Sequence, residues 1–212
     1  MTDSTTMKLH HAAPSPFARK VRMAAIELGL AERIELVATH VAPGKANPEY
    51  AAEVNPLRKI PALTLADGTT LVDSTLICLY LDELAEGAVL VPAEGERRWQ
   101  VLNAHAVATG MTEAAVALRY ETFLRPEERR WALWSDDLLD KIEGGLGWFE
   151  ARAGDGSAEP PIDLGSVALA CLLGYLGFRR PEHGWRDRFP RLVVAHEAMA
   201  RRRSYRETSP EA

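Results

Sequence analysis

The stretch that decides the fold is residues 55–74, which read NPLRKIPALTLADGTTLVDS. Two short apolar runs, ALTL and TTLV, flank a turn that contains Asp67-Gly68, a dipeptide typical of tight β-hairpins. Because proline has no N–H, Pro61 fits the first residue of a strand better than the middle of a sheet. Asp73-Ser74 is typical of a helix start. The stretch therefore predicts a hairpin that leads directly into a helix.

The residues before this hairpin alternate between strand and helix patterns. Residues 17–28 carry apolar side chains at three- and four-residue steps with charged residues between them, which is typical of an amphipathic helix. Strands are predicted at 7–11 and 34–39, on either side of it, and a loop with a helical turn follows. With a further helix at 74–84, the order β-α-β-(α)-β-β-α predicts a four-stranded mixed sheet with helices against it.

The pattern changes at a candidate linker, residues 87–92, and no convincing strand follows it. The four helices predicted beyond the linker lie at 96–118, 126–151, 163–178 and 190–203. Asp163 is expected to cap the third of them. Since acid and hydroxyl are exchanged relative to the usual capping box, the reciprocal bond from Ser166 is left open. The predicted fold class is α/β plus all-α, with an α/β domain at 1–86 and an all-helical domain at 93–212.

Composition and charge argue against several classes of function. The formal net charge is −5 over 212 residues, which disfavours nucleic-acid binding as the main role. Cys78 and Cys171 lie in separate apolar helical runs without metal-ligand or dithiol spacing, so neither a metal site nor a redox pair is expected. The first seven residues lack a signal-peptide core, and no apolar run approaches the ~20 residues that span a bilayer. The sequence therefore predicts a cytoplasmic protein with no membrane association.

Five motifs carry a resemblance to a known family. SPFARKVR at 15–22, NPLRKIPAL at 55–63 and DSTLICLYLDE at 73–83 resemble the thioredoxin-like domain of cytosolic glutathione transferases. ALACLLGYLGFR at 168–179 and FPRLVVAHEAMARRRSYRETSP at 189–210 are similar to the helical domain of the same family. The resemblance, closest to bacterial serine-type members, implies an N-terminal thioredoxin-like domain with a mixed four-stranded sheet, followed by a helical bundle. It also implies a homodimer.

The resemblance assigns the residues that bind glutathione. It implies that the Ile60–Pro61 bond is cis and that the exposed backbone of Ile60 pairs with the cysteinyl backbone of the tripeptide. Lys59 is placed near the glycyl carboxylate. Asp73 is expected to accept from the γ-glutamyl ammonium, while the Ser74 hydroxyl and the helix N-terminus receive the carboxylate. The alternative is that Asp73 and Ser74 only cap the helix, and both roles are compatible.

Ser15 is the candidate catalytic residue. It stands before Pro16, which is tolerated at the first helical position, so Ser15 is a natural N-cap. In serine-type relatives the matching hydroxyl donates to the glutathione sulfur. The alternative is a structural cap with no chemical role. No cysteine occurs in residues 7–20, which argues against the branch of the family that forms a mixed disulfide with glutathione.

The electrophile is expected to bind between the two domains. Ala13, Met111 and Tyr120 are the candidate pocket residues, and the alternative is that the helix containing Met111 is structural. The function predicted is a detoxifying glutathione transferase that adds the glutathione thiolate to a small hydrophobic electrophile without a metal. Two alternatives remain open: a glutathione-dependent peroxidase, and a non-catalytic module that binds ligands or a partner protein.

Overall fold

The computed structural model of the chain describes residues 6–45, 47–87, 89–154 and 162–210. The chain divides into two compact units. The first comprises Met1–Pro92 together with Arg203–Ala212, and the second comprises Ala93–Arg202. The sequence predicts a linker at 87–92 followed by one helical domain, and in the structure the residues from Arg203 onward group with the first unit.

The first unit contains the predicted sheet. Its elements are β1 Met7–His11, α1 Pro16–Glu27, β2 Ile34–Ala38, α2 Pro48–Glu53, β3 Ala62–Thr64, β4 Thr70–Val72, α3 Ser74–Leu84 and α9 Arg203–Glu207. The strand order is β2-β1-β3-β4. Strand β1 runs parallel to β2 and antiparallel to β3, and β3 runs antiparallel to β4. The mixed four-stranded sheet is therefore confirmed.

The core of this unit lies between the sheet and its helices. Leu9 of β1 pairs with Leu63 of β3, and both side chains are completely buried. Helices α1 and α3 pack against each other and contribute Val21 and Ile77, which are also completely buried. Burying one such side chain contributes ~1.5–3 kcal/mol, so these few residues supply much of the stability of a small domain. Gly29, with φ of 70°, follows α1 and ends it.

The second unit is entirely helical where the structure describes it. Its helices are α4 Gly95–Arg119, α5 Ala132–Glu150, α6 Leu164–Arg179, α7 Trp185–Arg188 and α8 Pro190–Ala200. Helix α6 is apolar on nearly every face, as its sequence suggests, and it packs against α4 and α8. The buried side chains of the core include Leu118, Ile142, Leu146, Leu172 and Leu176.

A complete capping box begins α6. The backbone N–H of Ser166 donates to the Asp163 carboxylate at 2.8 Å, and the backbone N–H of Asp163 donates to the Ser166 hydroxyl at 2.9 Å. The bond that the sequence left open is therefore present, because a serine oxygen accepts as a glutamate oxygen would. Arg97 of α4 also donates to Asp163 at 2.6 Å, which ties the start of α6 to α4.

Helix α5 begins at Ala132, six residues later than predicted. Helix α4 continues into a π-helical turn, Tyr120–Leu124, in which the Glu121 side chain is buried. Its carboxylate accepts from the Trp131 backbone N–H at 2.9 Å and from Arg125 Nε at 2.6 Å. These bonds lower the pKa of Glu121, the one from the Trp131 backbone N–H most of all. Held by this carboxylate, residues 125–131 form a loop with a short 3₁₀ turn, Glu127–Arg129, in place of the predicted start of α5.

The C-terminal segment packs on α1 of the first unit. A continuous helix at 190–203 was predicted, whereas α8 ends at Ala200 and α9 lies against α1. Arg19 of α1 is buried, donates to the Tyr205 carbonyl at 3.0 Å, and stacks on the Tyr205 ring. The Ser204 hydroxyl donates to Glu27 at 2.5 Å. Polar groups, and not an apolar stripe, hold this segment, so hydrophobic periodicity gave no signal for it.

No helix in the described ranges combines the length and the apolar character needed to cross a membrane.

Two glycines of α6 should respond oppositely to substitution by alanine. At Gly165 a Cβ would lie 2.9 Å from the Ala104 Cβ and 3.3 Å from the Val101 carbonyl oxygen, so α4 and α6 are in close contact there. Gly165→Ala is expected to lower the free energy of unfolding by ~1–3 kcal/mol through overpacking. At Gly177 a Cβ meets nothing within 4 Å, and Gly177→Ala should raise it by ~0.5–1 kcal/mol.

Urea denaturation of both variants against the wild type measures this contrast. A Gly165→Ala protein as stable as the wild type would mean that α4 and α6 separate without cost. A destabilised Gly177→Ala protein would show that this face of α6 is covered.

Candidate functional site

Ser15 begins α1 as predicted. A tight turn leads from β1 to it, closed by the Ser15 N–H donating to the Ala12 carbonyl at 3.0 Å. The Ser15 hydroxyl oxygen accepts from the Ala18 backbone N–H at 3.2 Å, and Pro16 occupies the first helical position. Since the cap uses only a lone pair of the oxygen, the hydroxyl proton remains available to a further acceptor. The side chain is half-buried at the positive end of a twelve-residue helix.

The Ile60–Pro61 peptide bond is cis and stands directly before β3. The sheet pairing starts one residue later, at Ala62, which lies opposite both His10 and Val72. The N–H and C=O of Ile60 therefore lie outside the ladder, at the end of the sheet. They are the backbone groups that the resemblance assigns to the cysteinyl part of glutathione.

The loop that leads to Ile60 is held by two side chains that the sequence analysis did not identify. Tyr50 Oη and Asn55 Nδ2 both donate to the Lys59 carbonyl oxygen, at 2.7 and 2.8 Å. The Asn55 side chain also accepts from the Leu57 N–H at 3.0 Å. The one available signal was an Asn before Pro at the head of a loop, a common turn pattern. The Lys59 side chain itself is exposed.

Asp73 is the N-cap of α3 and adopts an unusual backbone conformation. Its φ of 79° and ψ of 128° are rare for a residue other than glycine and cost ~1–3 kcal/mol. Its carboxylate accepts from the Thr75 N–H at 2.7 Å. Burial opposes ionisation, but hydrogen bonds from Thr75 and Leu76 and the charge of Lys20 outweigh it and lower the pKa of Asp73. Asp73 is thus an anion at neutral pH, beside a buried Ser74.

The sheet register brings these groups to one edge. Ala62 pairs with His10 on one side and Val72 on the other, so the chain directly before Ala62 and directly after Val72 meets at the same end of the hairpin. The same end carries the last residue of β1, from which the turn to Ser15 departs. Ser15, Ile60 and Asp73 therefore share one edge of the sheet, where the N-termini of α1 and α3 both begin.

The three candidate electrophile-pocket residues are placed differently from one another. Ala13 is exposed in the turn after β1. Tyr120 is 42% exposed at the end of α4, whereas Met111 is only 3% exposed and belongs to the core of the helical unit. Its side chain fills the space beside Gly145, where a Cβ would overlap it. A cavity of about 380 Å³ in the helical unit is lined by Glu121, Arg125, Arg129, Trp131 and Trp134 and does not include Met111.

Two histidines at the end of β1 lie close to this edge. His10 Nδ1 is 3.1 Å from the Thr39 hydroxyl, and its ring lies 5.4 Å from that of Tyr50. Burial, followed by the charge of Lys8 for His10 and of Arg22 for His11, lowers the pKa of both imidazoles. Both are therefore neutral at pH 7. Across the described ranges, no group of three or more His, Cys, Asp or Glu side chains could hold a metal ion.

Family models match both halves of the chain. The N-terminal domain model of glutathione S-transferases matches residues 14–84, and the C-terminal domain model matches residues 128–194. An uncharacterized GST-like protein of Escherichia coli K12, YibF, is 30% identical over 209 residues, which cover 96% of this chain and 98% of the relative.

Solved structures agree along nearly the whole chain. A glutathione transferase family member from Pseudomonas fluorescens Pf-5, with bound glutathione, is 36% identical with a TM-score of 0.92 and covers 97% of this chain and 99% of its own. A glutathione S-transferase from Methylobacillus flagellatus KT, with glutathione bound, is 35% identical with a TM-score of 0.87, covering 97% and 100%. The thioredoxin-like domain with its mixed sheet and the helical C-terminal domain are thereby confirmed, and the chain belongs to the glutathione S-transferase family.

Proposed function

We propose that this protein is a glutathione transferase that binds glutathione at the sheet edge, ionises its thiol, and adds the thiolate to a small hydrophobic electrophile. The observation that carries the proposal is the grouping of Ser15, Ile60 and Asp73 at one edge, each with a polar group directed by its local structure. Similar proteins with bound glutathione support the choice of tripeptide. The cytoplasmic location and the detoxifying role expected from the sequence belong to the same proposal.

The tripeptide is recognised along its whole length in this proposal. The Ile60 backbone pairs with the cysteinyl residue, and Lys59 lies near the glycyl carboxylate. Asp73 accepts from the γ-glutamyl ammonium with the carboxylate lone pairs that its hydrogen bond from the Thr75 N–H does not use. The γ-glutamyl carboxylate meets the Ser74 hydroxyl and the N-terminus of α3, whose partial positive charge favours an anion. Pro61 contributes by leaving the Ile60 groups outside the ladder.

The energetics of thiol ionisation match what Ser15 and α1 can supply. A free thiol with a pKa of ~8.5 is only a few per cent ionised at pH 7. Lowering that pKa by about two units needs ~2.7 kcal/mol of preferential stabilisation of the thiolate. A hydrogen bond from the Ser15 hydroxyl to the anion contributes ~1.5–3 kcal/mol, and the helix N-terminus adds ~0.3–1 kcal/mol. No metal and no general base are required.

The chemical step is a nucleophilic attack by the sulfur. The thiol proton passes to solvent, and the thiolate forms a carbon–sulfur bond with the electrophile while a leaving group departs with its electron pair. Ser15 stabilises the anion and forms no covalent bond. Tyr120, exposed at the end of α4, and Ala13, in the turn before Ser15, are the candidate contacts of the electrophile.

We include a homodimer in the proposal. Large apolar side chains are exposed in each unit, among them Leu57 in the first and Trp99, at 69%, in the second. A subunit interface would remove such side chains from water, which is favourable. Light scattering of the purified protein should give twice the chain mass of 23.4 kDa. A measured mass of one chain at micromolar concentration would contradict the proposed dimer.

Ser15→Ala should separate thiol activation from binding. Losing the donor is expected to raise the pKa of bound glutathione by about one to two units and to lower kcat at pH 7 by about tenfold or more, with binding retained. The thiolate absorbance of bound glutathione, followed across pH, measures the pKa directly. Ser15→Thr keeps both the hydroxyl donor and the cap, so it should stay near the wild type.

The substitution also removes an N-cap, which costs ~1 kcal/mol of stability, so thermal unfolding of both variants is the control. An unchanged thiol pKa in Ser15→Ala would exclude Ser15 from the mechanism. Binding with an ordinary thiol pKa in the wild type would favour the non-catalytic module. Turnover of a hydroperoxide but of no carbon electrophile would favour the peroxidase.

Asp73→Asn isolates the charge of Asp73 from its cap. Asparagine caps helices as well as aspartate does and tolerates positive φ, so stability should change little. Loss of the carboxylate should weaken glutathione binding about tenfold to a hundredfold, because hydrogen bonds to charged groups contribute ~1.5–3 kcal/mol. Asp73→Ala, which also removes the bond to Thr75, should lose both affinity and stability.

Calorimetric titration with glutathione and thermal unfolding of the two variants test this pair. Since the pKa of Asp73 is lowered, its carboxylate stays charged at neutral and mildly acidic pH, and wild-type affinity owed to this residue should persist there. Equal glutathione affinities of Asp73→Asn and the wild type would show that Asp73 is only a structural cap.

A further inference from the structure

We propose that Tyr50 and Asn55 act together as a clamp that aims the Ile60 N–H at the cysteinyl carbonyl of glutathione. The clamp is defined as these two side chains with the Lys59 carbonyl oxygen on which they converge. It rests on the proposed function, since it acts on the backbone group that would meet the tripeptide. Neither side chain reaches the ligand itself in this proposal, so both are positioning residues.

The planarity of the peptide bond links the clamp to the ligand. The C=O of Lys59 and the N–H of Ile60 belong to the same rigid peptide unit, in which they point in opposite directions. Only the Ile60–Pro61 bond is cis in the described chain, so the Lys59–Ile60 unit is trans. Two donors fixed on the Lys59 oxygen therefore fix the direction of the Ile60 N–H on the far side of the plane.

The two donors occupy both lone pairs of that oxygen. Tyr50 Oη lies 2.7 Å from it and Asn55 Nδ2 lies 2.8 Å from it. Asn55 is 1% exposed and Tyr50 is 6% exposed, so water competes poorly for these bonds. Rotation of the Lys59–Ile60 unit would leave both buried donors without an acceptor, which is costly.

Each arm of the clamp is anchored in turn. Asn55 accepts from the Leu57 N–H at 3.0 Å, and its own backbone carbonyl accepts from the Arg58 N–H at 2.8 Å. Tyr50 is held by the Asn47 cap of α2, which accepts from the Tyr50 N–H at 3.2 Å, and by its ring contact with His10 of β1. The clamp therefore ties the orientation of the Ile60 N–H to β1 of the sheet as well as to the loop.

The protonation state of Tyr50 is suited to this role. Burial, opposed in part by a hydrogen-bond interaction with Asn55, raises the pKa of the Tyr50 phenol to about 12. The hydroxyl thus stays protonated, and remains a donor, throughout the pH range in which the glutathione thiol titrates. A contribution of the clamp to binding should accordingly be independent of pH, unlike that of Ser15.

Tyr50→Phe tests the clamp, because it removes one donor and keeps the ring against His10. The probes are glutathione and γ-glutamylcysteamine, a thiol that keeps the γ-glutamyl group and lacks the cysteinyl carbonyl. Calorimetry should show glutathione binding weakened about threefold to tenfold, with γ-glutamylcysteamine affected less than twofold. The pKa of the bound glutathione thiol should not change. Thr70→Val, which removes a side-chain hydrogen bond at the opposite end of the same hairpin, is the control and should leave both affinities unchanged.

A second measurement keeps the proposal falsifiable if a variant is poorly folded. In the wild type, the Ile60 amide resonance should shift strongly downfield when glutathione saturates the protein. Asn55→Asp, which keeps the acceptor for Leu57 and removes the donor to Lys59, should reduce that shift.

The possible outcomes distinguish failure of the clamp from failure of the proposed function. Wild-type binding with an unmoved Ile60 amide, or equal losses of both ligands in Tyr50→Phe, would overturn the clamp and leave the glutathione site standing. Failure of the wild type to bind millimolar glutathione would overturn the proposed function and the clamp with it.

Discussion

Ala62 is the residue on which the arrangement of this site depends. It is the first residue of the central strand β3 and lies opposite both His10 and Val72. These two pairings fix where β1 ends, where β3 starts and where β4 ends before α3. A slip of one residue in either pairing would exchange the two faces of a strand and separate the groups at the sheet edge. The buried pair Leu9 and Leu63, one residue further along, opposes such a slip.

The two helix N-termini at this edge are capped in ways that leave chemistry available. Ser15 satisfies its helix with an oxygen lone pair and keeps a proton, which suits a developing sulfur anion. Asp73 satisfies its helix with part of a carboxylate and keeps negative charge, which suits an ammonium. A carboxylate in place of Ser15 would repel a thiolate, and a hydroxyl in place of Asp73 would offer an ammonium no negative charge. In the proposed function, one local device, the N-cap, would therefore serve two opposite electrostatic needs.

Much of this structure could be predicted from short-range patterns. The hairpin, the Ser15 cap and the apolar helix α6 each follow from residues that are neighbours in sequence. The clamp could not, because its acceptor is a backbone carbonyl whose position depends on the folded loop at Arg58, where φ is 52°. Helix α9 was missed for a similar reason, since its partners on α1 lie about 180 residues away. The late start of α5 depends on the buried carboxylate of Glu121, and a buried charge leaves no periodic trace.

The docking of α9 on α1 makes the first unit discontinuous in sequence. The sheet, α1 and α3 are all encoded before residue 93, yet the hydrogen bonds that cover Arg19 come from residues beyond 202. On the ribosome the whole helical unit is therefore synthesised before the first unit receives its last helix. Domains that emerge first usually fold first, but here Arg19 has no access to its partners on α9 until residues beyond 202 have been synthesised. The α/β unit can therefore be complete only in a chain whose helical unit has already been synthesised.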